Sequence, residues 1–163
     1  MPADAKAKER ANANKDIAVN RKAYHDYFVE ETYEAGIVLS GTEIKSVREH
    51  RVNLTDGFCR IDKGEMYLLN AHITPYESAG KYFNHTATRS RKLLLHKSEI
   101  LKLSIQIDAK GLTLIPLKMY MKNGKAKVLV ALARGKKLYD KRATLAEQDA
   151  KRDVDRALRD REN

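Results

Sequence analysis

The 163-residue sequence has no tryptophan, three prolines and a single cysteine, Cys59. One cysteine leaves no intramolecular disulfide framework, which suits a reducing compartment. No apolar run approaches the roughly 20 residues of a membrane-spanning helix. The segment from Met1 to Ala18 lacks the apolar core of a secretory signal. We therefore expect a cytoplasmic protein without a membrane span.

Motifs for catalysis are also missing. There is no P-loop, no dinucleotide-binding glycine pattern and no serine nucleophile elbow. The histidines are scattered, and none pairs with Cys59 at zinc-finger spacing. His25 with Asp26, or His72 with His96, are conceivable acid–base pairs, but they match no constellation of known spacing. We expect no enzymatic activity and no bound metal or cofactor.

Positive charge is what the sequence has in excess, with 32 basic against 22 acidic residues and a net charge of +10. No acid stands between Asp108 and Asp140. The cations in that window are Lys110, Lys118, Lys122, Lys125, Lys127, Arg134, Lys136 and Lys137. Such a surface suits a polyanion, so nucleic acid is the first partner to consider and an anionic membrane the second. The alternative is a solvated lysine-rich edge hairpin, a common protection against aggregation.

Within this window the sequence predicts a β-hairpin. Residues 112–120 alternate, with Thr113, Ile115, Leu117 and Met119 assigned to one face. Asn123-Gly124 is the strongest short hairpin signal, because both residues of the turn need positive φ. A return strand runs through Val128 and Leu132.

Hairpins and short helices dominate the rest of the pattern. It predicts a long strand over 27–39, a helix capped by Thr42, a hairpin over 58–73, a long loop over 77–90, a buried strand over 93–95 and a helix ending at Gly111. In the hairpin over 58–73, we assign Tyr67, Leu69, Ala71 and Ile73 to one face. This profile predicts a mainly β fold, an OB-type antiparallel β-barrel of about six strands with two or three short helices.

Three regions follow from composition. Residues 1–16 are expected to be a disordered lead-in, and residues 17–135 the OB-type RNA-binding barrel. Residues 136–163 form a flexible basic tail that is too poor in apolar residues to fold alone, although it can become a helix on a partner. We expect a monomer.

The segment from Asn20 to Tyr27 mixes cations, aromatic rings and a histidine, which suits RNA because unstacked bases lie on aromatic faces. The alternative is an amphipathic turn that leads into the first long strand.

Several motifs, taken in order, resemble one family, the SsrA-binding proteins. They are Asn20-Arg21-Lys22-Ala23-Tyr24-His25-Asp26-Tyr27-Phe28, Glu34-Ala35-Gly36-Ile37, the run from Leu39 to Arg48, the run from Thr88 to Leu95, and the run from Gly135 to Arg142. The resemblance implies a non-enzymatic protein that binds the tRNA-like domain of transfer-messenger RNA. It also implies delivery of that RNA to stalled ribosomes for trans-translation, the tagging of incomplete proteins.

By position, the resemblance implies two sets of site residues. The set facing transfer-messenger RNA is Asn20, Lys22, His25, Tyr27, Glu34, Leu94, His96 and Lys127. The set facing the ribosomal decoding centre is Gly135, Lys136, Lys137, Tyr139, Asp140, Lys141 and Arg142. The tail then becomes a helix in the empty messenger channel. The alternative function is a generic RNA chaperone or ribosome-associated RNA-binding protein on the same barrel.

Overall fold

The structure is a computed structural model that describes residues 16–80 and 82–162. Its strands are β1 (Asp16–Val19), β2 (Tyr27–Ile37), β3 (Val52–Asn53), β4 (Phe58–Asp62), β5 (Glu65–Leu69), β6 (His72–Ile73), β7 (Arg91–Leu94), β8 (Thr113–Lys122) and β9 (Lys125–Gly135). Its helices are α1 (Arg21–Asp26), α2 (Gly41–Arg48), α3 (Lys97–Lys110) and α4 (Leu138–Glu162). Among the described residues no helix is long and apolar enough to cross a membrane. Of the predicted lead-in over 1–16, residues 1–15 lie outside the described residues, and Asp16 belongs to β1.

The main sheet forms a ring of antiparallel pairings. Its order is β1, β8, β4, β5, β7, β2, β9, and β9 pairs again with β8. Six strands thus return on themselves, and β1 lies beside β8; β3 and β6 form a separate two-stranded sheet. The predicted mainly β, OB-type fold of about six antiparallel strands is confirmed as an OB-like sheet of six to seven antiparallel strands.

The hairpin of β8 and β9 is confirmed, and its turn is the predicted one. Asn123 and Gly124 have φ of 52° and 76°, the positive values that a tight two-residue turn requires. The strands that it joins pair from Lys122 and Lys125 to Thr113 and Ala133. This hairpin also carries the ring closure, because β9 pairs along β2 on its other side.

The predicted face of β8 is wrong at Met119. Proline has no N–H for the ladder, and the register shifts between Pro116 and Lys118. The bulge moves Met119 into the main core, whereas Ile115 and Leu117 belong to a second apolar cluster with Ala23, Ala131 and Ala133. The hairpin is therefore buried on both sides over part of its length, and α1 covers the second side.

The second strand of the predicted hairpin over 58–73 is likewise interrupted. Asn70 has φ of 58°, so β5 ends at Leu69 and the chain turns before β6. Met66 and Leu68 are fully buried, whereas Tyr67 and Leu69 are half-buried. The assignment of Tyr67 and Leu69 to the face of Ala71 and Ile73 is wrong, because the positive φ at Asn70 breaks the alternation.

Helix α2 begins at a capping box. Ser40, rather than the predicted Thr42, is the N-cap: its hydroxyl accepts from the Glu43 N–H, and the Glu43 carboxylate accepts from the Ser40 N–H at 2.9 Å. Glu43 is fully buried, and its two oxygens also accept hydrogen bonds from the guanidinium groups of Arg89 and Arg91. Helix α2 is thereby tied to the start of β7.

Arg91 is fully buried, yet each of its guanidinium nitrogens has a partner. Besides Glu43, it donates to the carbonyl oxygens of Ala71 at 2.9 Å and Ala87 at 2.9 Å. These bonds hold the predicted long loop, which contains one short 3-10 turn over Glu77–Ala79, against the sheet. A buried charge is tolerated only when it is paired and hydrogen-bonded in this way.

Helix α3 ends as predicted at Gly111, which has φ of 63° and caps the helix in the left-handed conformation. Its Leu103 is fully buried against the main core, which contains the inward side chains of most ring strands. The predicted buried strand over 93–95 is β7. Leu93 is buried, but Leu94 is 51% exposed, because the alternation along the strand sends it outward.

Candidate nucleic-acid interface

The eight residues predicted to face RNA fall into two groups at the two ends of β2. Strand β2 starts at Tyr27, and Glu34 lies seven residues further along. At about 3.3 Å per residue the two positions are at most about 23 Å apart along the strand. We call the first group the Tyr27 end and the second the Glu34 end.

Asn20 lies buried at the Tyr27 end, where it caps α1. Its side-chain amide donates to the carbonyl oxygens of Leu54 at 3.2 Å and Pro116 at 2.9 Å, and its side-chain oxygen accepts from the Ala23 N–H at 3.2 Å. With 2% of its surface exposed, Asn20 orients the residues that follow it. Direct contact between Asn20 and RNA stays a prediction.

The three other predicted residues at the Tyr27 end are accessible. Lys22 is exposed, and His25 and Tyr27 are half-buried. The His25 Nδ1 lies 2.8 Å from the Asp26 carboxylate, which orients the imidazole. Lys22 and Tyr27 line a cavity of about 480 Å³ that Asn20, Asp26, Asp56 and Phe58 also line.

The start of the tail adjoins this end. Gly135 pairs with Tyr27, the Lys136 N–H donates to the Asp26 carbonyl at 2.8 Å, and the Lys136 ammonium donates to the Tyr24 carbonyl at 3.3 Å. Sequence reasoning assigned residues 20–27 and 135–142 to different partners, which stays a prediction; in the structure Gly135 and Lys136 lie beside residues 24–27.

One aromatic ring at this junction was missed. Phe28 is 36% exposed, with the Arg134 guanidinium 5.1 Å and the Lys136 ammonium 4.9 Å from its ring centre. Arg134 is the direct cross-strand partner of Phe28. Cations held over a ring are typical of RNA-binding surfaces. The signal that could have found the pair is the β2–β9 register, which the sequence alone does not supply.

The Glu34 end gathers Leu94 and Lys127 beside Gly36. Gly36 pairs with Leu94 on one side and with Lys127 on the other. A Cβ at Gly36 would stand 3.3 Å from the Leu94 Cβ, so the small residue lets Leu94 fold over the strand. A groove of about 320 Å³ opens there and is lined by Gly36, Leu94, Lys125 and Lys127 among others.

Glu34 lies beside this groove and is held by β8. Its carboxylate accepts hydrogen bonds from the Tyr120 hydroxyl and from the Lys122 ammonium at 3.3 Å. The Tyr120 hydrogen bond, followed by that from Lys122, holds the pKa of Glu34 below its usual range. Burial and then the Glu34 hydrogen bond raise the pKa of Tyr120. At neutral pH Glu34 is therefore a fixed anion that can accept from an RNA 2′-hydroxyl or a base N–H.

His96 lies two residues beyond Leu94, at the N-cap position of α3. Its side chain is exposed and makes no capping hydrogen bond. The imidazole is therefore accessible, two residues after the end of β7.

The predicted run of eight unopposed cations needs correction. Lys118 lies 3.4 Å from Asp16 of β1, and Lys122 pairs with Glu34 of β2. The acids come from strands that are distant in sequence, which a linear window does not reveal. Within the described residues Lys125 and Lys127 have no ion-pair partner, and they remain available for phosphates.

The other predicted ribosome-facing residues lie immediately before α4 or in its first turns. Arg142 and Lys137 are exposed. Tyr139, Asp140 and Lys141 belong to the first turns of the helix, and their side chains lie outside what the structure describes. In residues 16–80 and 82–162, no three metal-ligating side chains gather.

A basic OB-like fold with rings and cations at one end of a strand and exposed lysines at the other belongs, by class, to the nucleic-acid-binding proteins. The family model described as "SmpB protein" matches residues 17–160. The chain therefore belongs to the SmpB family, whose members are RNA-binding proteins and not enzymes.

Individual relatives agree. The chain is 57% identical over 145 residues to the SsrA-binding protein of Roseiflexus castenholzii, covering 89% of this chain and 92% of that protein. It is 59% identical over 147 residues to the SsrA-binding protein of Shouchella clausii, covering 90% and 94%. A solved chain described as "tmRNA-SmpB: a journey to the center of the bacterial ribosome" matches at 55% identity and a TM-score of 0.62, covering 74% of this chain and 84% of that one.

Proposed function

We propose that this chain binds the tRNA-like domain of transfer-messenger RNA and carries it to ribosomes stalled without a stop codon. There it supports trans-translation, the rescue of the ribosome and the tagging of the incomplete protein. The observation that carries this proposal is the Glu34 end, where a groove lined by Leu94 and Lys127 opens beside the Glu34 carboxylate. Membership of the SmpB family supports the identity of the RNA. The cytoplasm is the compartment that we assign to this activity.

The chemistry of the Glu34 end suits the backbone of a folded RNA. Lys125 and Lys127 supply positive charge for phosphates, and Glu34 supplies an acceptor that a DNA backbone, without 2′-hydroxyls, cannot use. Exposed Leu94 offers an apolar contact, and His96 an imidazole that can stack or hydrogen-bond. The predicted contacts of Lys22, His25 and Tyr27 lie at the Tyr27 end.

The ribosome-facing set starts where the ring ends. Gly135 pairs with Tyr27 of β2, and the Lys136 N–H donates to the Asp26 carbonyl of α1, so the backbone that leads into α4 starts from a fixed position. We assign Tyr139, Asp140, Lys141 and Arg142, which follow it, to the decoding centre. We assign α4 to the messenger channel. That residues 136–163 are disordered before they reach the ribosome stays a prediction.

The first test is a gel-shift titration of the full chain with transfer-messenger RNA, an unrelated structured RNA and a DNA duplex at matched salt. We expect a clear preference for transfer-messenger RNA, because shape and 2′-hydroxyl contacts add to the charge term. Glu34→Ala should reduce that preference, and Lys102→Ala, which removes an exposed lysine on α3, should not. Equal affinity of the wild type for all three nucleic acids would instead support a generic RNA chaperone.

The second test separates the two partners. Replacing Asp140, Lys141 and Arg142 together with Ala should leave transfer-messenger RNA binding nearly unchanged and abolish tagging on stalled ribosomes. Both are measured on the same preparation, by gel shift and by a reconstituted tagging reaction. Loss of RNA binding in this variant would contradict the ribosome-facing assignment.

A further inference from the structure

The cavity of about 480 Å³ at the Tyr27 end has the construction of a ligand pocket. Its volume lies within the range of small-molecule sites. Buried Ala23 and Ile115 give it an apolar surface. Two aromatic rings line it, the half-buried Tyr27 and Phe58, which is 44% exposed.

A carboxylate lies at the same cavity on a well-fixed loop. Asp56 lies within a turn in which the Thr55 N–H donates to the Asn53 side chain at 2.9 Å, and the Gly57 N–H donates to the Leu54 carbonyl at 2.9 Å. The same Leu54 carbonyl accepts from Asn20. Within the described residues the Asp56 side chain has no hydrogen-bond or ion-pair partner. The loop therefore presents an unused anionic acceptor beside two rings.

These groups select their ligand by chemistry. A flat, unstacked base can cover the rings, as bases do in single-stranded RNA recognition. A carboxylate only accepts hydrogen bonds and repels phosphate. Guanine is the base whose Watson–Crick edge presents adjacent N–H donors, from N1 and the exocyclic N2, which match the two carboxylate oxygens. Uracil presents a single N–H between two carbonyl oxygens, which a carboxylate repels. Lys22, exposed at the cavity, supplies the charge for the nucleotide's phosphate.

We propose that this cavity binds one unpaired guanosine nucleotide of an RNA partner. The base stacks against Tyr27 and Phe58, its N1–H and N2–H donate to Asp56, and its phosphate lies toward Lys22. The inference rests on the proposed function for the source of the guanosine, which is either transfer-messenger RNA or ribosomal RNA. It assigns a role to Asp56 and Phe58, which belong to neither set of site residues named above.

The test is an NMR titration of the ¹⁵N-labelled full chain with guanosine 5′-monophosphate and, separately, uridine 5′-monophosphate, each to about 10 mM. We expect the amide signals of Asp56, Gly57 and Thr113 to shift and to saturate with the guanosine nucleotide. The uridine nucleotide should bind about tenfold more weakly, since it lacks the paired donors. Absence of shifts at these amides, or equal shifts with both nucleotides, would overturn the proposal.

Three variants sharpen the result. Asp56→Asn should remove the preference for guanosine, and retention of that preference would also overturn the proposal. Phe58→Leu keeps an apolar side chain but loses the ring, so it should weaken binding of both nucleotides several-fold. Phe83→Ala removes a more exposed ring from the 77–90 loop, where Phe83 is 83% exposed, and should change nothing.

Two further measurements on Asp56→Asn identify the source of the guanosine. Weaker binding of free transfer-messenger RNA assigns the nucleotide to that RNA, whereas normal binding with impaired tagging assigns it to ribosomal RNA. No effect on either would show that neither RNA uses the pocket. If the wild type fails to prefer transfer-messenger RNA, the proposed function itself is wrong; if it prefers that RNA but ignores the guanosine nucleotide, only the pocket inference falls.

Discussion

The two ends of β2 are held in place by different kinds of interaction. At the Tyr27 end the anchor is neutral: Asn20 is 2% exposed and uses its amide group to join α1, the 53–57 loop and β8. Near the Glu34 end the anchor is ionic: buried Arg91 and Glu43 fix the start of β7, which carries Leu94 outward. The surfaces differ as well: the Tyr27 end has a cavity, and the Glu34 end has an open groove.

The difference teaches how each surface responds to its surroundings. Neutral hydrogen bonds do not change with pH in the physiological range, so the Asn20 anchor keeps its geometry. An ionic anchor depends on the charge state of a carboxylate, so the geometry around Leu94 is linked to proton concentration at low pH. Each of the following variants alters the interactions at one end of β2.

The largest effect is expected from Arg91→Met. Removing Arg91 leaves the buried Glu43 carboxylate with Arg89, which is partly exposed, as its remaining cationic partner, and loss of one partner of a buried pair typically costs about 3–5 kcal/mol of unfolding free energy. Urea unfolding followed by circular dichroism measures the loss. Arg60→Met, at an exposed position on β4, is the matched control and should change stability little. A loss below about 1 kcal/mol at Arg91 would mean that the ion pair is not an anchor.

The same pair predicts a pH dependence of stability. Burial alone would raise the pKa of Glu43, but the hydrogen bonds from Arg89, the Ser40 N–H and Arg91 outweigh it and lower the pKa. A depressed folded-state pKa contributes stability that is complete above the unfolded-chain value of about 4.3 and is lost as the pH falls through the folded value.

Unfolding free energy measured between neutral pH and acid should therefore fall more steeply in the wild type than in Glu43→Gln, below about pH 4.3. The variant starts from a lower stability but has lost this titrating group. Glu77→Gln, whose side chain is 84% exposed, should retain the wild-type slope. Parallel curves for the wild type and Glu43→Gln would refute the linkage.

A smaller loss is expected at the neutral anchor. Asn20→Ala removes the cap of α1 and leaves the Pro116 carbonyl without its donor, which should lower the unfolding free energy by about 2 kcal/mol. The loss should be the same at pH 5 and pH 8, in contrast to the ionic anchor. Gln148→Ala, at an exposed position of α4, serves as the control. A loss that varies between these two pH values would remove the contrast between the two ends.

The smallest effect concerns RNA affinity. Lys127→Ala should weaken transfer-messenger RNA binding a few-fold and reduce the slope of log affinity against log salt by about 0.7–0.9, the loss of one phosphate contact. Fluorescence anisotropy between about 50 and 200 mM salt measures both quantities. Lys102→Ala should leave the slope unchanged. If both variants give the same slope, Lys127 makes no phosphate contact.

The features predicted correctly from the sequence are the ones that depend on neighbouring residues. The Asn123–Gly124 turn and the Gly111 cap each need positive φ at a residue that tolerates it, so the local sequence decides them. The long strand that starts at Tyr27 was also visible in the local pattern. Such features require no knowledge of what packs against them.

The features that were missed depend on distant residues. The bulge at Pro116 changes which side of β8 meets the core, and the pairing of Lys122 with Glu34 requires knowledge of the strand order. The division of the predicted RNA-facing residues into two ends of β2 is of the same kind. A resemblance carries residues over one by one, but it does not say which of them lie together.

The hydrogen bond from the Lys136 N–H to the Asp26 carbonyl lies immediately before α4, so a small change of angle there is magnified along the helix. Helix α4 has 25 residues, so at 1.5 Å per residue it reaches about 37 Å. A tilt of α4 by about ten degrees at this hydrogen bond would displace the C-terminal end of the helix by about 6 Å, more than one helical pitch. The direction of the whole tail thus depends on the few backbone atoms of Lys136 and Asp26 where the chain leaves the sheet.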